Sequence, residues 1–227
     1  MQSFGNLNMI PISLGYNCHV KVFIDRIGEA QKRTYLHQPF DWVGSPMWSV
    51  YEAVKVDFSG FVDRSSISLR KRFTDKSDDY LTHSVYNFCF LHDFGKDIRS
   101  ISEEKWTDVQ EKYIRRIERW NSTLAKKEPL LFIRLEQDAL NRIEYPEFQR
   151  EGDEKYYVEQ FAELMKAKGV SYRILFLSTT AAKGYDPDRR ICTVHFVKKR
   201  PTDILGADQI QQIVLANLDF IHQCIRK

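Results

Sequence analysis

Residues 9–27 have the sequence MIPISLGYNCHVKVFIDRI, and the change of pattern within this stretch decides the fold. The apolar run that ends at Leu14 predicts a short buried strand, because turn residues follow it at once. Apolar side chains then recur at helical spacing, at Val20, Phe23, Ile24 and Ile27. This spacing predicts an amphipathic helix that ends near Gly28. The stretch therefore predicts a strand, a tight turn and a helix in immediate succession.

The same alternation continues along the chain. Further strands are predicted at residues 85–92, 130–135, 172–178 and 191–197, and further helices after Pro46 and at residues 100–124, 153–168 and 207–225. Residues 60–84 are polar and irregular. Continuous apolar strands are typical of a sheet covered by helices on both faces. We therefore predict a single α/β domain over residues 1–227, a three-layer sandwich with a mostly parallel sheet.

Composition limits the function classes. The chain has 227 residues and 43% hydrophobic content, enough for a full core. Its apolar runs fall far short of the roughly 18 residues that cross a bilayer, so no membrane span is expected. No secretory signal is readable, and the four cysteines form no C-x-x-C pair. A cytoplasmic, reducing location is therefore expected.

Partners and cofactors follow from charge and motifs. The 34 basic and 31 acidic residues are mixed along the chain, which argues against nucleic acid. No dinucleotide-binding glycine motif, P-loop or metal-ligand spacing is present, so neither a cofactor nor a metal is expected. The expected partner is a small-molecule, peptide or glycan substrate, with a nucleotide sugar among the options.

Cys18 stands where the turn meets the first predicted helix. A thiol there has its thiolate stabilised by unpaired backbone N–H groups and by the helix dipole. The same amides, with the Asn17 side chain, could hold an oxyanion, and Gly15 and Tyr16 complete the turn that would contact a substrate. The alternative is a small buried thiol, which is a common role of free cysteine.

A thiol nucleophile needs a base, and His92 is the best of six histidines because it closes a predicted strand and precedes Asp93. His37 ranks lower, since it only precedes a loop, and a structural role is the alternative for any of the histidines. Asp41, next to Trp42, is an acid in an apolar loop. It could orient the imidazole, or it could cap the helix near Cys18.

Three arginines are candidates for contact with an anionic ligand. Arg115 and Arg116 belong to a basic run on a predicted helix, which could bind phosphate or could be a solvated face. Arg134 follows four apolar residues, and a charge at the end of a buried strand needs an acid or a ligand. Glu136, Asp138 and a phosphate are the options for its partner.

Geometry predicts where these groups meet. Parallel strands bring their carboxyl ends to one edge of a sheet. The turn after the first strand, Arg134 and residues 178–180 are therefore expected along one rim.

Five segments resemble, in order, a domain family of unknown function described as putative papain-like cysteine peptidases. They are Ser13–Cys18, Pro39–Trp42, His92–Phe94, Lys112–Ile117 and Leu131–Arg134. The resemblance implies Cys18 as nucleophile, His92 as its partner and Asp41 as an orienting acid. It also implies a histidine on an antiparallel sheet, which conflicts with the predicted alternation of strands and helices.

Two enzyme functions are predicted as alternatives. The first is thiol-dependent acyl transfer, by a cysteine peptidase, another hydrolase or an acyltransferase, with Cys18 as nucleophile and His92 as base. The second is a glycosyltransferase-like, nucleotide-sugar-binding domain in polysaccharide or glycan synthesis, in which the Gly15 turn and Arg134 hold a diphosphate. The predicted substrate-binding residues are Gly15, Tyr16, Asn17, Trp42, Asp93, Arg115, Arg116 and Arg134. A non-catalytic partner domain is the least favoured alternative.

Overall fold

The computed structural model describes residues 8–70, 80–90, 92–94, 101–136, 152–199 and 205–226. The helices within these ranges are α1 (Cys18–Gln31), α2 (Met47–Lys55), α3 (Glu103–Ala125), α4 (Glu154–Ala167), α5 (Ala207–Ala216) and α6 (Leu218–Arg226). The strands are β1 (Ile10–Ser13), β2 (Ile67–Arg70), β3 (Tyr80–His83), β4 (Cys89–Phe90), β5 (Leu130–Leu135), β6 (Tyr172–Ser178), β7 (Gly184–Asp186) and β8 (Ile191–His195).

The central sheet has five strands in the order β1-β5-β6-β8-β7. All its pairs are parallel except β7 with β8, so the predicted mostly parallel sheet is confirmed. Ser13 lies opposite Ile133, and Ser178 lies opposite His195. The carboxyl ends of β1, β5, β6 and β8 therefore follow one rim, as the sequence predicted, and we call this rim the carboxyl edge. β1 is the outermost strand at one end of the sheet.

Helices cover both faces of this sheet. Side chains alternate along each strand, so Phe132 and Phe176 pack against α2, α3 and α4, whereas Ile133 and Leu175 pack against α1, α5 and α6. The two apolar clusters, one on each face, are what a doubly covered parallel sheet requires. The predicted three-layer α/β sandwich is confirmed.

A second, antiparallel sheet consists of β2, β3 and β4. Two of its strands lie within residues 60–84, which the sequence predicted to be irregular, so that prediction is wrong. The predicted strand over residues 85–92 is also wrong for its first part. The ring of His83 accepts the amides of Val85 and Tyr86 through Nδ1, at 3.2 Å each, and turns the chain there.

The final predicted helix is divided in two. Asn217 ends α5, because its side-chain nitrogen donates to the carbonyl of Ile213 (2.9 Å) and its side-chain oxygen accepts from Lys183 (2.8 Å). A polar side chain that bonds the backbone in this way competes with helix propagation. Across the described ranges, no helix combines the length and apolar character that crossing a bilayer would require.

Glu136, the residue after β5, connects the end of β5 to the end of β6 at the carboxyl edge. Its carboxylate is buried and accepts from the hydroxyl of Ser178 (2.8 Å) and from the amide (3.0 Å) and hydroxyl (2.6 Å) of Thr180. Burial raises the pKa of this carboxyl, but the hydrogen bonds to its charged form prevail and hold the pKa below its ordinary value. The ionised carboxylate thus joins the ends of two central strands.

We predict that Glu136→Gln lowers the free energy of unfolding by about 1–3 kcal/mol at pH 7, because an amide nitrogen would face hydrogen-bond donors. The wild-type pKa is lowered on folding, so its stabilisation is present above the ordinary glutamate pKa and is lost as pH falls through the folded-state value. Urea unfolding from pH 7 to pH 3 should therefore show the two proteins converging in acid. A constant difference across this range would contradict the assignment.

Candidate active site

The turn after β1 has a backbone that few residues can adopt. Gly15 and Tyr16 both have positive φ, at 77° and 91°. A Cβ on Gly15 would lie 2.3 Å from the hydroxyl oxygen of Ser45, so only glycine fits there. A positive φ at a bulky residue such as Tyr16 is a strained state that persists only where its surroundings impose it. Such strain concentrates at functional sites.

Asn17 begins the helix that follows. Its side-chain oxygen accepts the amide of His19 (3.0 Å), which makes Asn17 the N-cap and Cys18 the first residue of α1. Its side-chain nitrogen is buried and has no hydrogen-bond partner within the described part of the chain. The helix cap that the sequence offered as one role for Asp41 therefore belongs to Asn17.

Cys18 is half-buried at the amino end of α1. Burial raises the pKa of its thiol, and the opposing effect of its own backbone N–H is smaller. The thiol is therefore protonated near neutral pH, and the position at the helix end does not by itself supply a thiolate. Any nucleophilic role requires a base.

Arg134 lies beneath the turn and is fully buried. All three of its guanidinium nitrogens donate: to the carboxylate of Glu154 at 2.8–3.0 Å, and to the carbonyls of Leu14 and Ser45 at 2.9 Å each. Glu154 also accepts the amide of Met47 (3.0 Å). We call this arrangement the Arg134 clamp. Of the partners considered from the sequence, Glu136 is bonded elsewhere and Asp138 lies outside the described residues.

Asp41 belongs to a segment that passes over the turn. Its carboxylate is buried, accepts the amide of Gln38 at 2.7 Å and lies 3.5 Å from Nδ1 of His37. The indole of Trp42 donates to the same Nδ1 at 3.2 Å. The imidazole nearest to Asp41 is thus that of His37.

His92 is exposed and packs edge-on against Trp42, with ring centroids 5.6 Å apart. Its neighbour Asp93 is buried, accepts the hydroxyl of Tyr113 (2.7 Å) and pairs with Lys112. Asp93 is therefore engaged by α3, whereas the ring of His92 stays available at the surface.

The basic run on α3 divides between two faces. Arg115 points to solvent and pairs with Glu111 at 3.3 Å. Arg116 is buried, and its guanidinium lies 5.2 Å from the centre of the Tyr113 ring. Arg119 donates to the carbonyl of His37. The side of the helix that carries Arg116 and Arg119 therefore meets the segment that carries Asp41.

The path of the chain brings the imidazoles towards Cys18. Lys21 of α1 donates to the carbonyl of Tyr35 (2.9 Å), and the carbonyl of Phe40 would lie 3.3 Å from a Cβ on Gly15. Residues 35–40 therefore run back along α1, from the level of Lys21 to that of Gly15, and His37 belongs to this segment.

The second imidazole, that of His92, follows the last strand of the small antiparallel sheet. Gly44 and Cys89 exchange two backbone hydrogen bonds, of 2.8 and 2.9 Å, and a Cβ on Gly44 would lie 3.7 Å from the carbonyl of Tyr16. His92 follows three residues after Cys89. We define the Cys18 site as residues 15–18, residues 37–45, His92, Asp93 and the inner face of α3 at Tyr113 and Arg116.

Sequence reasoning missed or underrated three parts of this region: His37, Ser45 and Glu154. The contact of His37 with Asp41 spans four residues and could have been considered from the sequence. The other two act through distant partners that no local pattern reveals. Among the described residues, no group of three or more histidine, cysteine and acidic side chains could hold a metal ion.

Comparison with known proteins gives a family. The profile of a family described as "Putative papain-like cysteine peptidase (DUF1796)" matches residues 10–182, a range that includes the whole Cys18 site. "Uncharacterized protein R408" of Acanthamoeba polyphaga mimivirus is 27% identical over 137 residues, covering 54% of this chain and 60% of the viral protein. The chain thus spans less than two thirds of that relative. No solved structure matches the chain.

We predict that breaking the Arg134 clamp from one side is costly. Arg134→Met leaves the Glu154 carboxylate buried without its cation and should lower the free energy of unfolding by about 3–5 kcal/mol. The double variant Arg134→Met/Glu154→Met should lose much less. Urea unfolding of the three proteins measures both values.

Arg115→Met is the matched control, because its ion pair is exposed and its loss should change stability by less than about 0.5 kcal/mol. If the double variant lost as much stability as Arg134→Met alone, or more, the clamp would not act as a pair.

Proposed function

Since this chain belongs to the "Putative papain-like cysteine peptidase" family, we propose that it is a thiol-dependent acyl-transfer enzyme with Cys18 as its nucleophile. The observation that carries the proposal is the position of Cys18. It is a half-exposed thiol at the first residue of α1, and only Asn17 separates it from two consecutive residues with positive φ. A strained strand–turn–helix junction presents a nucleophile at the edge of a sheet and leaves backbone amides free for charge stabilisation.

The reaction has two halves. The sulfur of Cys18 attacks an ester, thioester or amide carbonyl while its proton passes to the imidazole of His92. The tetrahedral intermediate collapses, the leaving group takes that proton, and an acyl-enzyme remains. Water or another acceptor then gives up a proton to the imidazole, attacks the acyl carbon and releases the thiol.

The raised pKa of the thiol makes the base essential. His92 fits this role because its ring nitrogens make no hydrogen bond with residues in the described ranges and its ring is held against Trp42. His37 is less free, since Trp42 and Asp41 compete for its Nδ1. Asp41 is therefore assigned as a positioning residue that fixes the segment around Trp42.

The oxyanion has three candidate donors. The amides of Gly15, Tyr16 and His19 already donate to Ser13, Ser45 and Asn17. Among the amides of residues 15–19 in the described structure, those of Asn17 and Cys18 donate to no other residue, and the side-chain nitrogen of Asn17 is also unpaired. Donors that are fixed before the reaction stabilise developing charge without reorganisation.

The nucleotide-sugar alternative loses its main support. It required Arg134 to neutralise a diphosphate, but every guanidinium nitrogen of Arg134 already donates within the clamp. A fully paired, fully buried guanidinium has little left to offer a ligand. No other observation favours that function.

The test combines alkylation with turnover of a generic p-nitrophenyl ester. Iodoacetamide should modify Cys18 faster than Cys89, the other half-exposed thiol, near pH 7. Ester hydrolysis should fall by about 10²-fold or more in Cys18→Ala and by about 10²–10⁴-fold in His92→Ala. Mass spectrometry identifies the modified residue.

His195→Ala is the matched control, because His195 is an exposed histidine at the carboxyl end of β8 on the same rim and lies outside the Cys18 site. Its activity should equal that of the wild type. Equal rates of alkylation of Cys18 and Cys89 would contradict the assignment of Cys18 as the nucleophile. A larger loss in His37→Ala than in His92→Ala would move the base to His37.

A further inference from the structure

Arg116 is a buried cation whose hydrogen bonds are missing. The residue is 7% exposed, and its guanidinium lies over the ring of Tyr113. Its Nη1 atom is buried and has no hydrogen-bond partner in the residues that the structure describes. A guanidinium carries five donors, and burying it unpaired is costly. This arrangement is therefore expected where a ligand supplies the missing acceptor.

An unpaired acceptor lies beside the same tyrosine. Asp41 is 1% exposed, and its Oδ2 accepts from Gln38 whereas its Oδ1 is buried without a partner in the described ranges. The segment that carries this carboxylate meets α3 next to Arg116, because Arg119 donates to the carbonyl of His37, whose Nδ1 lies 3.5 Å from Asp41. The charge of Asp41 also contributes to raising the pKa of Tyr113. Asp93 is not equivalent, because Lys112 and Tyr113 occupy its two oxygens.

The charges around this point favour a monoanion. Lys112 pairs with Asp93, Arg116 lies over Tyr113, and Arg119 donates to the carbonyl of His37, four residues before Asp41. These three cations and the two acids Asp41 and Asp93 leave one net positive charge. A carboxylate matches that charge and the planar fork of an arginine. A phosphate dianion would leave an excess of negative charge beside Asp41.

We propose that Arg116 and Asp41 form a subsite for a carboxylate that carries an N–H group beside it, as at the C-terminus of a peptide or in an N-acyl amino acid. The carboxylate accepts from Arg116, and the adjacent N–H donates to Oδ1 of Asp41. Because residues 35–40 run beside the Cys18 turn, the acyl group on that nitrogen extends towards Cys18. The amide bond next to the terminal carboxylate is then the one that Cys18 attacks.

The last step rests on the proposed function, whereas binding does not. N-acetylglycine is the probe, because it has both the carboxylate and the N–H. It should raise the melting temperature of the wild-type protein in a saturable way, by mass action. N-acetylglycinamide, which lacks the carboxylate, should give no shift, and acetate and inorganic phosphate at equal ionic strength should give smaller shifts.

Arg116→Met should weaken the Kd for N-acetylglycine about tenfold or more, as expected for loss of a charged hydrogen-bond partner. Arg115→Met is the matched control, since Arg115 is adjacent in sequence, exposed and paired with Glu111, and it should bind as the wild type does. Arg116→Lys keeps the positive charge but loses the planar guanidinium that can donate two parallel hydrogen bonds to a carboxylate. It should show an intermediate affinity and provides the measurement if Arg116→Met does not fold.

Equal affinities in Arg116→Met and Arg115→Met would overturn the subsite. Binding of N-acetylglycinamide as tight as that of N-acetylglycine, or tighter binding of phosphate, would do the same. Cys18→Ser should retain the shift with N-acetylglycine. If Cys18 is alkylated no faster than Cys89 but N-acetylglycine still binds through Arg116, acyl transfer alone is refuted. If Cys18 is reactive but N-acetylglycine does not bind through Arg116, the subsite alone is refuted.

Discussion

The buried ion pair between Arg134 and Glu154 is the constraint on which the rest of the site depends. From the carboxyl end of β5, Arg134 holds the carbonyls of Leu14 and Ser45, and Glu154 holds the amide of Met47. One pair thus joins the end of β1, the segment that carries Asp41 and the first turns of α2 and α4. An over-determined frame of this kind can keep the turn at Tyr16 in a conformation that it would not adopt alone.

Local periodicity accounts for the parts of the fold that the sequence revealed. The strand–turn–helix around Cys18, the long helix α3 and the apolar strands β5 and β6 each have a pattern that needs no distant partner. The small sheet was missed because its turn depends on His83, whose Nε2 bonds the carbonyl of Gly60, 23 residues away in sequence. Tertiary contacts decide such segments.

In the site, too, local patterns predicted some features, whereas others depend on tertiary contacts. The position of Cys18 at the start of α1 was predictable, but the protonated state of its thiol depends on burial, which the sequence does not state. The choice between Arg115 and Arg116 had a usable signal: Tyr113 and Trp120 mark the inner face of α3, and Arg116 shares that face. The route of residues 35–45 over the turn had none, because it follows from the edge position of β1 and from the Arg134 clamp.

Trp42 differs from the other tryptophans of the chain. Trp48, Trp106 and Trp120 are buried, whereas Trp42 is half-buried, donates to His37 and packs against His92. Its indole therefore meets both solvent and the two imidazoles of the site. The protein therefore carries a native optical reporter, and the fluorescence of Trp42 can follow occupancy of the site without an added label.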